Sequence, residues 1–220
     1  MSDHVARARS ERGEIVLSRR DAALELRVNG VFVMDTAHTD TERLLATATL
    51  AQVHRSGGLD VLIGGLGLGF TLREVLGDPR VRSARVAEIE PDLVDWHRRG
   101  LVPDTAGAVA DERVTIAVGD VADVLAATPA DSVDVVLLDV DNGPGYLVYD
   151  GNADLYRRDF LALCRARLRP GGTLAVWSAD TSPELSAALD EVFGDSRELA
   201  VPVTLDNRET TYHVFLATRE

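Results

Sequence analysis

Carboxylate side chains follow the ends of three apolar segments in this chain. Asp139 and Asp141 end the apolar run in VLLDVDNGPGY, residues 136–146, which is typical of a buried strand. Glu88 closes a second apolar run, and Asp120 follows a third. The carboxyl ends of parallel strands meet at one edge of a sheet, where ligands bind. Carboxylates at that edge can hold the hydroxyl and amino groups of a nucleoside, or accept a proton from a reacting amine.

A glycine-rich turn precedes these carboxylates in the sequence. In VLIGGLGLGFTLREV a strand is followed by a turn and a helix, and Gly65, Gly67 and Gly69 form the pattern G-x-G-x-G. Glycine permits a tight turn and the close approach of a ligand to the main chain. The same pattern occurs in turns that bind nothing, and the dinucleotide fingerprint would require glycine at Phe70. The turn therefore indicates a nucleoside site only together with the carboxylates.

Each carboxylate has a structural alternative. Glu88 is the better candidate for the two ribose hydroxyls, because Glu90 precedes Pro91 and such a position is typical of a helix start. Asp120 can accept a hydrogen bond from an adenine amino group, or it can simply cap the helix that begins at Val121. Asp139 can act on a substrate, or it can satisfy the amides of its own loop. The three strand ends together predict a nucleoside site.

The elements that position these residues fall into two units. Residues 1–38 predict a small antiparallel β unit, because Asn29-Gly30 between β-prone runs is a hairpin signal and GEIVLSRR before it predicts another strand. Residues 39–220 predict an α/β domain with a mainly parallel seven-stranded sheet covered by helices on both faces. Thr39 and Glu42 have the spacing of a capping box at the first helix of that domain. The tail predicts a final antiparallel pair of strands.

Within this domain, short apolar runs alternate with amphipathic segments. The predicted parallel strands are Val61–Gly64, Arg85–Glu88, Val114–Val118, Val133–Asp139 and Thr173–Trp177, and the predicted helices are Thr71–Leu76, Asp92–Arg99, Ala153–Leu168 and Pro183–Phe193.

The composition excludes several classes of protein. The net charge of −13 disfavours nucleic acid or an anionic membrane as a partner, because phosphate binding requires a basic surface. The single cysteine, Cys164, lies in an apolar helical stripe and is interpreted as a buried structural thiol. The N-terminus is charged and no apolar run approaches the ~20 residues of a membrane span, so we expect a cytoplasmic protein. The histidines lack metal-ligand spacing, and no metal site is predicted.

These residues and their order resemble the class I S-adenosylmethionine-dependent methyltransferase fold and, within it, the spermidine synthase (polyamine aminopropyltransferase) family. The resemblance covers nearly the whole chain, and it implies a Rossmann-like α/β fold and a homodimer. The motifs occur in family order: LRVNGVFVMD, LREVL, EIEP, GDV, LLDVDNGP, Leu155-Tyr156 and LRPGG.

The resemblance assigns a role to Asp139. The family's fourth strand ends in D-S-S-D-P, whose first aspartate takes a proton from the attacking amine and whose second helps to hold the polyamine. Asp139 matches the first position, whereas Asn142 occupies the second and Asp141 is adjacent. The family's glycine motif also carries an aspartate that faces the amino group of decarboxylated S-adenosylmethionine, and this chain has Leu68 there. An aspartate would repel the carboxylate of intact S-adenosylmethionine. Without this aspartate, the chain lacks one feature that would select decarboxylated over intact S-adenosylmethionine.

The substrate side of the site departs further from the family. Asp40-Thr41-Glu42 replaces the family's Tyr-His-Glu, and only Glu42 matches. Tyr146 lies in a long glycine-containing segment that could form a lid over the site. We interpret Asp141, Asn142, Tyr146 and Glu42 as candidate substrate-binding residues.

Three functions remain open at this stage. The first is group transfer from decarboxylated S-adenosylmethionine or S-adenosylmethionine to a small acceptor such as a cationic amine, without a metal. The second is methyl transfer from S-adenosylmethionine to a small molecule, and the third is nucleoside binding without catalysis. The resemblance favours the first.

Overall fold

Two β-sheets form the frame of the protein. The computed structural model describes residues 3–140, 142–145, 147, 149–205 and 208–220, apart from the side chains of residues 150, 205 and 208. One sheet is four-stranded and antiparallel, and the other is seven-stranded and mainly parallel. The α/β fold expected from the sequence is confirmed.

The N-terminal sheet has its four strands in chain order. Asn29 and Gly30 both have positive φ, 51° and 80°, which confirms the predicted hairpin turn. The first strand was not predicted, because its charged and largely exposed sequence lacks an apolar face; pairing with the second strand holds it in place. The strands are β1 (Asp3–Ser10), β2 (Gly13–Arg20), β3 (Ala23–Val28) and β4 (Val31–Asp35).

The seven-stranded sheet carries the candidate residues at its carboxyl edge. Its strands are β5 (Leu59–Gly64), β6 (Val81–Glu88), β7 (Val114–Val118), β8 (Val133–Leu138), β9 (Leu168–Ser178), β10 (Arg197–Leu205) and β11 (Arg208–Thr218). Their spatial order is β10-β11-β9-β8-β5-β6-β7, and β11 runs antiparallel to both of its neighbours. The strand order reverses between β5 and β8, which is where ligands bind in open α/β sheets.

Helices cover both faces of this sheet, because successive strand residues point to opposite sides. Ile63 and Leu137 face the cluster that contains the first two helices, whereas Leu62 and Val136 face the cluster of the last three. None of the described helices has the length and apolar character required to cross a membrane. The helices are α1 (Asp40–Leu50), α2 (Phe70–Gly77), α3 (Pro91–Arg98), α4 (Ala106–Val109), α5 (Val121–Ala127), α6 (Arg158–Arg167) and α7 (Pro183–Phe193).

One predicted helix is divided in two. The segment predicted as Ala153–Leu168 forms a 3₁₀ helix, Asp150–Tyr156, followed by α6. Arg157 between them has an extended backbone, with φ −90° and ψ 156°. Leu155 is buried against the sheet, so tertiary packing fixes this turn where local helical periodicity predicted a continuous helix.

A third apolar cluster joins the two sheets. Leu26 and Met34 of the N-terminal sheet pack with Leu68 of the glycine turn and with Trp96 of α3. The small sheet is thereby fixed over the carboxyl edge of the large one. It forms one wall of the candidate site.

Candidate active site

The carboxyl ends of β5, β6, β7 and β8 open into one pocket, called the first pocket below. It encloses about 970 Å³ of empty space when its open mouth is counted, which is in the range of small-molecule sites. Seven predicted site residues line it together: Glu42, Gly65, Gly67, Glu88, Asp120, Asp139 and Asn142. Gly69 does not line it; Gly69 is the N-cap residue of α2 and packs against Thr105 and His97.

The turn requires glycine at position 65 for a steric reason. Gly65 has φ +90°, and a Cβ atom there would lie 2.0 Å from the carbonyl oxygen of Asp139. At Gly67 a Cβ atom would lie 2.6 Å from Met34 Sδ. Larger residues would therefore displace the backbone that carries Asp139, or the sheet that covers the pocket.

Four of the five main-chain amides of the glycine turn, residues 65–69, donate hydrogen bonds within the protein. Gly65 donates to the Ala87 carbonyl of β6, and Leu66 donates to the Glu88 carboxylate. Leu68 donates to the Met34 thioether, and Gly69 donates to the Leu66 carbonyl. Phosphate sites on glycine-rich turns depend on free amides that point at the ligand. The turn is therefore unsuited to a pyrophosphate, which argues against a dinucleotide in this pocket.

Glu88 holds the glycine turn and faces the pocket. Its Oε2 accepts a hydrogen bond from the Leu66 amide and its Oε1 accepts one from the Glu90 amide, each at 2.8 Å. Burial raises the pKa of Glu88, and these hydrogen bonds oppose that shift. A carboxylate has about four acceptor sites in all, so Glu88 retains capacity for ligand hydroxyls.

Asp120 has the structural role considered from the sequence and also lines the pocket. Its Oδ1 accepts a hydrogen bond from the Ala122 amide at 2.8 Å, which caps α5. The side chain is exposed at the pocket mouth. Capping uses only part of its acceptor capacity, so both roles are compatible.

Asp139 is the first residue after β8. Its carboxylate does not tie down the described part of its own loop; Oδ2 accepts a hydrogen bond from the Thr71 hydroxyl at 2.6 Å. Asp139 is therefore joined to α2 through a residue outside its own loop. Burial raises the pKa of Asp139, and the Thr71 hydrogen bond partly opposes that rise. A carboxylate with a raised pKa is suited to accepting a proton.

Glu42 lines the pocket, and the capping box that its spacing from Thr39 also suggested is not formed. Thr39 is the N-cap of α1 but makes no side-chain capping hydrogen bond. Glu42 is 7% exposed, and its Oε2 accepts a hydrogen bond from the Thr41 hydroxyl at 2.9 Å. Burial and the negative charge of Asp139 raise the pKa of Glu42 to about 7. Glu42 and Asp139 therefore act as neighbouring carboxylates.

A second pocket adjoins the first. It lies between β4, the start of α1 and strands β9, β10 and β11. The two pockets have in common Val33, Met34, Glu42 and Trp177, called the shared wall below. The Trp177 indole also makes an edge contact with the Tyr212 ring, 4.9 Å between centroids. A donor in one pocket and an acceptor in the other would meet at the shared wall.

The charged residues that line both pockets are mainly acidic. Apart from His38, every charged residue among the described lining residues is an aspartate or a glutamate. Such a lining attracts cations and repels phosphates.

Glu90 joins three elements beside the first pocket, a role that the sequence did not reveal. Its Oε1 accepts hydrogen bonds from Arg12 Nε at 2.8 Å, from the Tyr149 hydroxyl at 3.1 Å and from the Ser10 hydroxyl at 3.3 Å. Ser10 ends β1, Arg12 lies in the β1–β2 turn, and Tyr149 lies in the long segment before α6. Tyr149 lines the pocket and was not among the predicted site residues. An aromatic residue near a glycine-rich segment was the only signal for it in the sequence.

The remaining substrate candidates follow Asp139. Asn142 lines the first pocket. Asp141 and Tyr146 lie outside the described residues. Leu68 is fully buried in the cluster that joins the two sheets and does not line the pocket. Among the described residues, no three His, Cys, Asp or Glu side chains are grouped closely enough to hold a metal ion.

Comparison with known proteins agrees with this geometry. Residues 37–191 match the spermine/spermidine synthase domain. Over 127 residues the chain is 39% identical to polyamine aminopropyltransferase 2 of Pseudomonas aeruginosa, which covers 56% of this chain and 34% of that protein. It is 35% identical over 116 residues to putrescine N-methyltransferase 2 of Nicotiana tabacum, which covers 52% of this chain and 31% of that protein.

The fold is shared with solved structures. A spermidine synthase in complex with the transition-state analogue AdoDATO superposes with a TM-score of 0.83 at 19% identity, covering 99% of this chain and 74% of that one. The chain spans about a third of the length of the curated relatives that it matches. Because the domain match extends over more than half of the chain, the protein belongs to the spermine/spermidine synthase domain family.

Proposed function

We propose that this protein transfers an aminopropyl group from decarboxylated S-adenosylmethionine to a small amine. The observation that carries the proposal is the shared wall, where two pockets with acidic lining meet at Glu42. Both reactants would be cations, a sulfonium and an ammonium, and a cluster of carboxylates stabilises them together. Family membership supports the same reaction class.

Each candidate residue then has a role in this proposal. The glycine turn receives the nucleoside, Glu88 binds the ribose hydroxyls and Asp120 binds the adenine amino group. Asp139 accepts the proton of the attacking amine, while Glu42 and Asn142 face the acceptor. Asp141 and Tyr146 remain predicted acceptor contacts. A homodimer, a cytoplasmic location and a domain boundary at residue 38 also remain predictions.

Methyl transfer from intact S-adenosylmethionine is the second candidate. The observation that favours it is Leu68, whose buried side chain offers nothing to the amino or carboxylate group of a donor. The similarity to a putrescine N-methyltransferase also supports it. The two candidates share the nucleoside site and differ in the group transferred.

Incubation with decarboxylated S-adenosylmethionine and, separately, with S-adenosylmethionine distinguishes aminopropyl transfer from methyl transfer. We expect the protein to convert a panel of diamines and monoamines with decarboxylated S-adenosylmethionine, detected as aminopropylated products by mass spectrometry. Methylated products from S-adenosylmethionine alone would establish the second candidate. Binding of 5′-methylthioadenosine without any product from either donor would contradict both and leave a binding protein.

Glu88→Gln tests the nucleoside site. We expect the affinity for 5′-methylthioadenosine to fall about 10- to 100-fold, because hydrogen bonds to a charged carboxylate are worth roughly 1.5–3 kcal/mol. Isothermal titration calorimetry measures this change, with exposed Glu112→Gln as the matched control. Unchanged affinity in a variant that melts like the wild type would exclude Glu88 from the site.

A further inference from the structure

An ionisable pair lies in the second pocket. Asp35 ends β4, and His38 follows it in the short connection to α1. Nδ1 of His38 lies 3.0 Å from Asp35 Oδ2 and 3.1 Å from Oδ1. The amides of Ala37 and His38 donate to Asp35 Oδ1 at 2.9 Å and 2.8 Å. The carboxylate is thus fixed by the main chain and in turn fixes the imidazole.

The contact with Asp35 determines which nitrogen of the His38 ring is available to accept a proton. A carboxylate only accepts hydrogen bonds, so Nδ1 of His38 carries a proton. In the neutral ring the lone pair is then on Nε2. No group among the described residues hydrogen-bonds to Nε2. The His38 side chain is 43% exposed and lines the second pocket, so the free nitrogen can exchange protons with water.

The proposed reaction produces a proton that must leave the site. The amine nitrogen forms a C–N bond as the C–S bond breaks, and the sulfur keeps the electron pair of the broken bond. Because the acceptor enters as an ammonium ion and the product leaves as one, each turnover releases one proton. Glu42 and Asp139 are shielded from water in comparison with His38. A carboxylate that has taken the proton has to lose it before the next turnover.

Electrostatic interactions link Glu42 of the shared wall to Asp35, the partner of His38. The charge of Asp35 contributes to the raised pKa of Glu42. Burial, and then the charges of Glu42 and Asp35, raise the pKa of the Tyr212 hydroxyl. Asp35, Glu42 and Tyr212 therefore lie within electrostatic range of one another in the second pocket.

We propose that His38, positioned by Asp35, is the proton-transfer residue that carries the proton of the acceptor amine from the second pocket to water. The inference rests on the proposed function, because only an ammonium acceptor requires it. The titratable groups that face this pocket are Asp35 of β4, Asp40 and Glu42 of α1 and Tyr212 of β11, and the described part of β10 contributes none. Asp35 acts through His38 and is a positioning residue.

His38→Ala is the decisive variant. We expect kcat at about pH 7 to fall about 10²-fold, which is a common contribution of a positioned acid–base group. Added imidazole should restore turnover, and the acidic limb of the pH–rate profile should change. Affinity for 5′-methylthioadenosine should stay the same, because His38 does not line the first pocket. Asp35→Asn should lower kcat less and change the same limb.

Exposed His54→Ala is the matched control and should turn over like the wild type. If the wild type transfers no group to any amine, the proposed function fails and this inference fails with it. If the wild type is active and His38→Ala keeps its rate and pH profile, the inference alone is overturned. A slow His38→Ala variant that imidazole does not rescue would also overturn it, because that result indicates a structural role.

Discussion

Asp139→Asn is expected to lower kcat by roughly 10²- to 10⁴-fold, the usual cost of losing a positioned acid–base group. The asparagine side chain keeps the shape of the aspartate and can still accept the Thr71 hydrogen bond, but it cannot take a proton. Affinity for 5′-methylthioadenosine should change little, because Glu88 and the glycine turn remain. Rates with an amine panel and calorimetry with the nucleoside measure the two effects separately.

Two further measurements sharpen this result. Raising the pH should partly restore turnover of Asp139→Asn, because more of the acceptor is then already a free amine. Thr71→Val should move the acidic limb of the pH–rate profile to higher pH, since the Thr71 hydrogen bond lowers the pKa of Asp139. Exposed Asp195→Asn serves as the control. Normal turnover by Asp139→Asn, together with loss of activity in Asp141→Asn, would show that Asp141 and not Asp139 is the proton acceptor.

Glu42→Gln is expected to stabilise the protein at about pH 8, by roughly 3 kcal/mol. In the folded protein the pKa of Glu42 is raised from 4.5 to about 7, and each pKa unit corresponds to ~1.4 kcal/mol. Above the folded pKa the carboxylate is charged in both states, and the folded state bears the cost of burying that charge. Glutamine carries no charge and avoids the cost.

The sign of this effect reverses the usual behaviour of a carboxylate. A raised pKa means that the folded protein binds more protons than the unfolded chain, so stability falls as the pH rises through about 7. At about pH 5 the benefit of Glu42→Gln should shrink to under ~1 kcal/mol. Urea unfolding at both values measures the free energies, with exposed Glu112→Gln as the control. An equal gain at both values, or none at pH 8, would contradict a buried charge at Glu42.

The cost at Glu42 is connected with the proposed function. Two neighbouring carboxylates in a partly closed site destabilise the empty protein, and a bound cation removes their repulsion. Glu42→Gln should therefore lose acceptor binding while it gains stability. Such an exchange between stability and activity is typical of residues that are kept for a ligand.

Local rules allowed the sequence to predict which residues lie at the carboxyl edge of the sheet. The alternation of apolar runs and helical segments placed Glu88, Asp120 and Asp139 at strand ends, and parallel strands bring such ends to one edge. Glycine at position 65 signalled a backbone conformation that other residues avoid. The Asn29-Gly30 hairpin followed from the same kind of rule. In each case a pattern within a few residues along the chain, such as a strand end or a turn, marked the position.

The second pocket and the surroundings of Glu42 depended on contacts between distant segments. Whether Glu42 caps α1 or faces a pocket was decided by the strands and helices around it, since the spacing of Thr39 and Glu42 is the same in both cases. The Arg12–Glu90 contact joins residues 78 positions apart, and no local pattern encodes it. The second pocket requires β4 to lie beside β10 and β11. Periodicity and spacing describe a residue's neighbours along the chain, whereas burial and repulsion between charges arise only when the chain has folded.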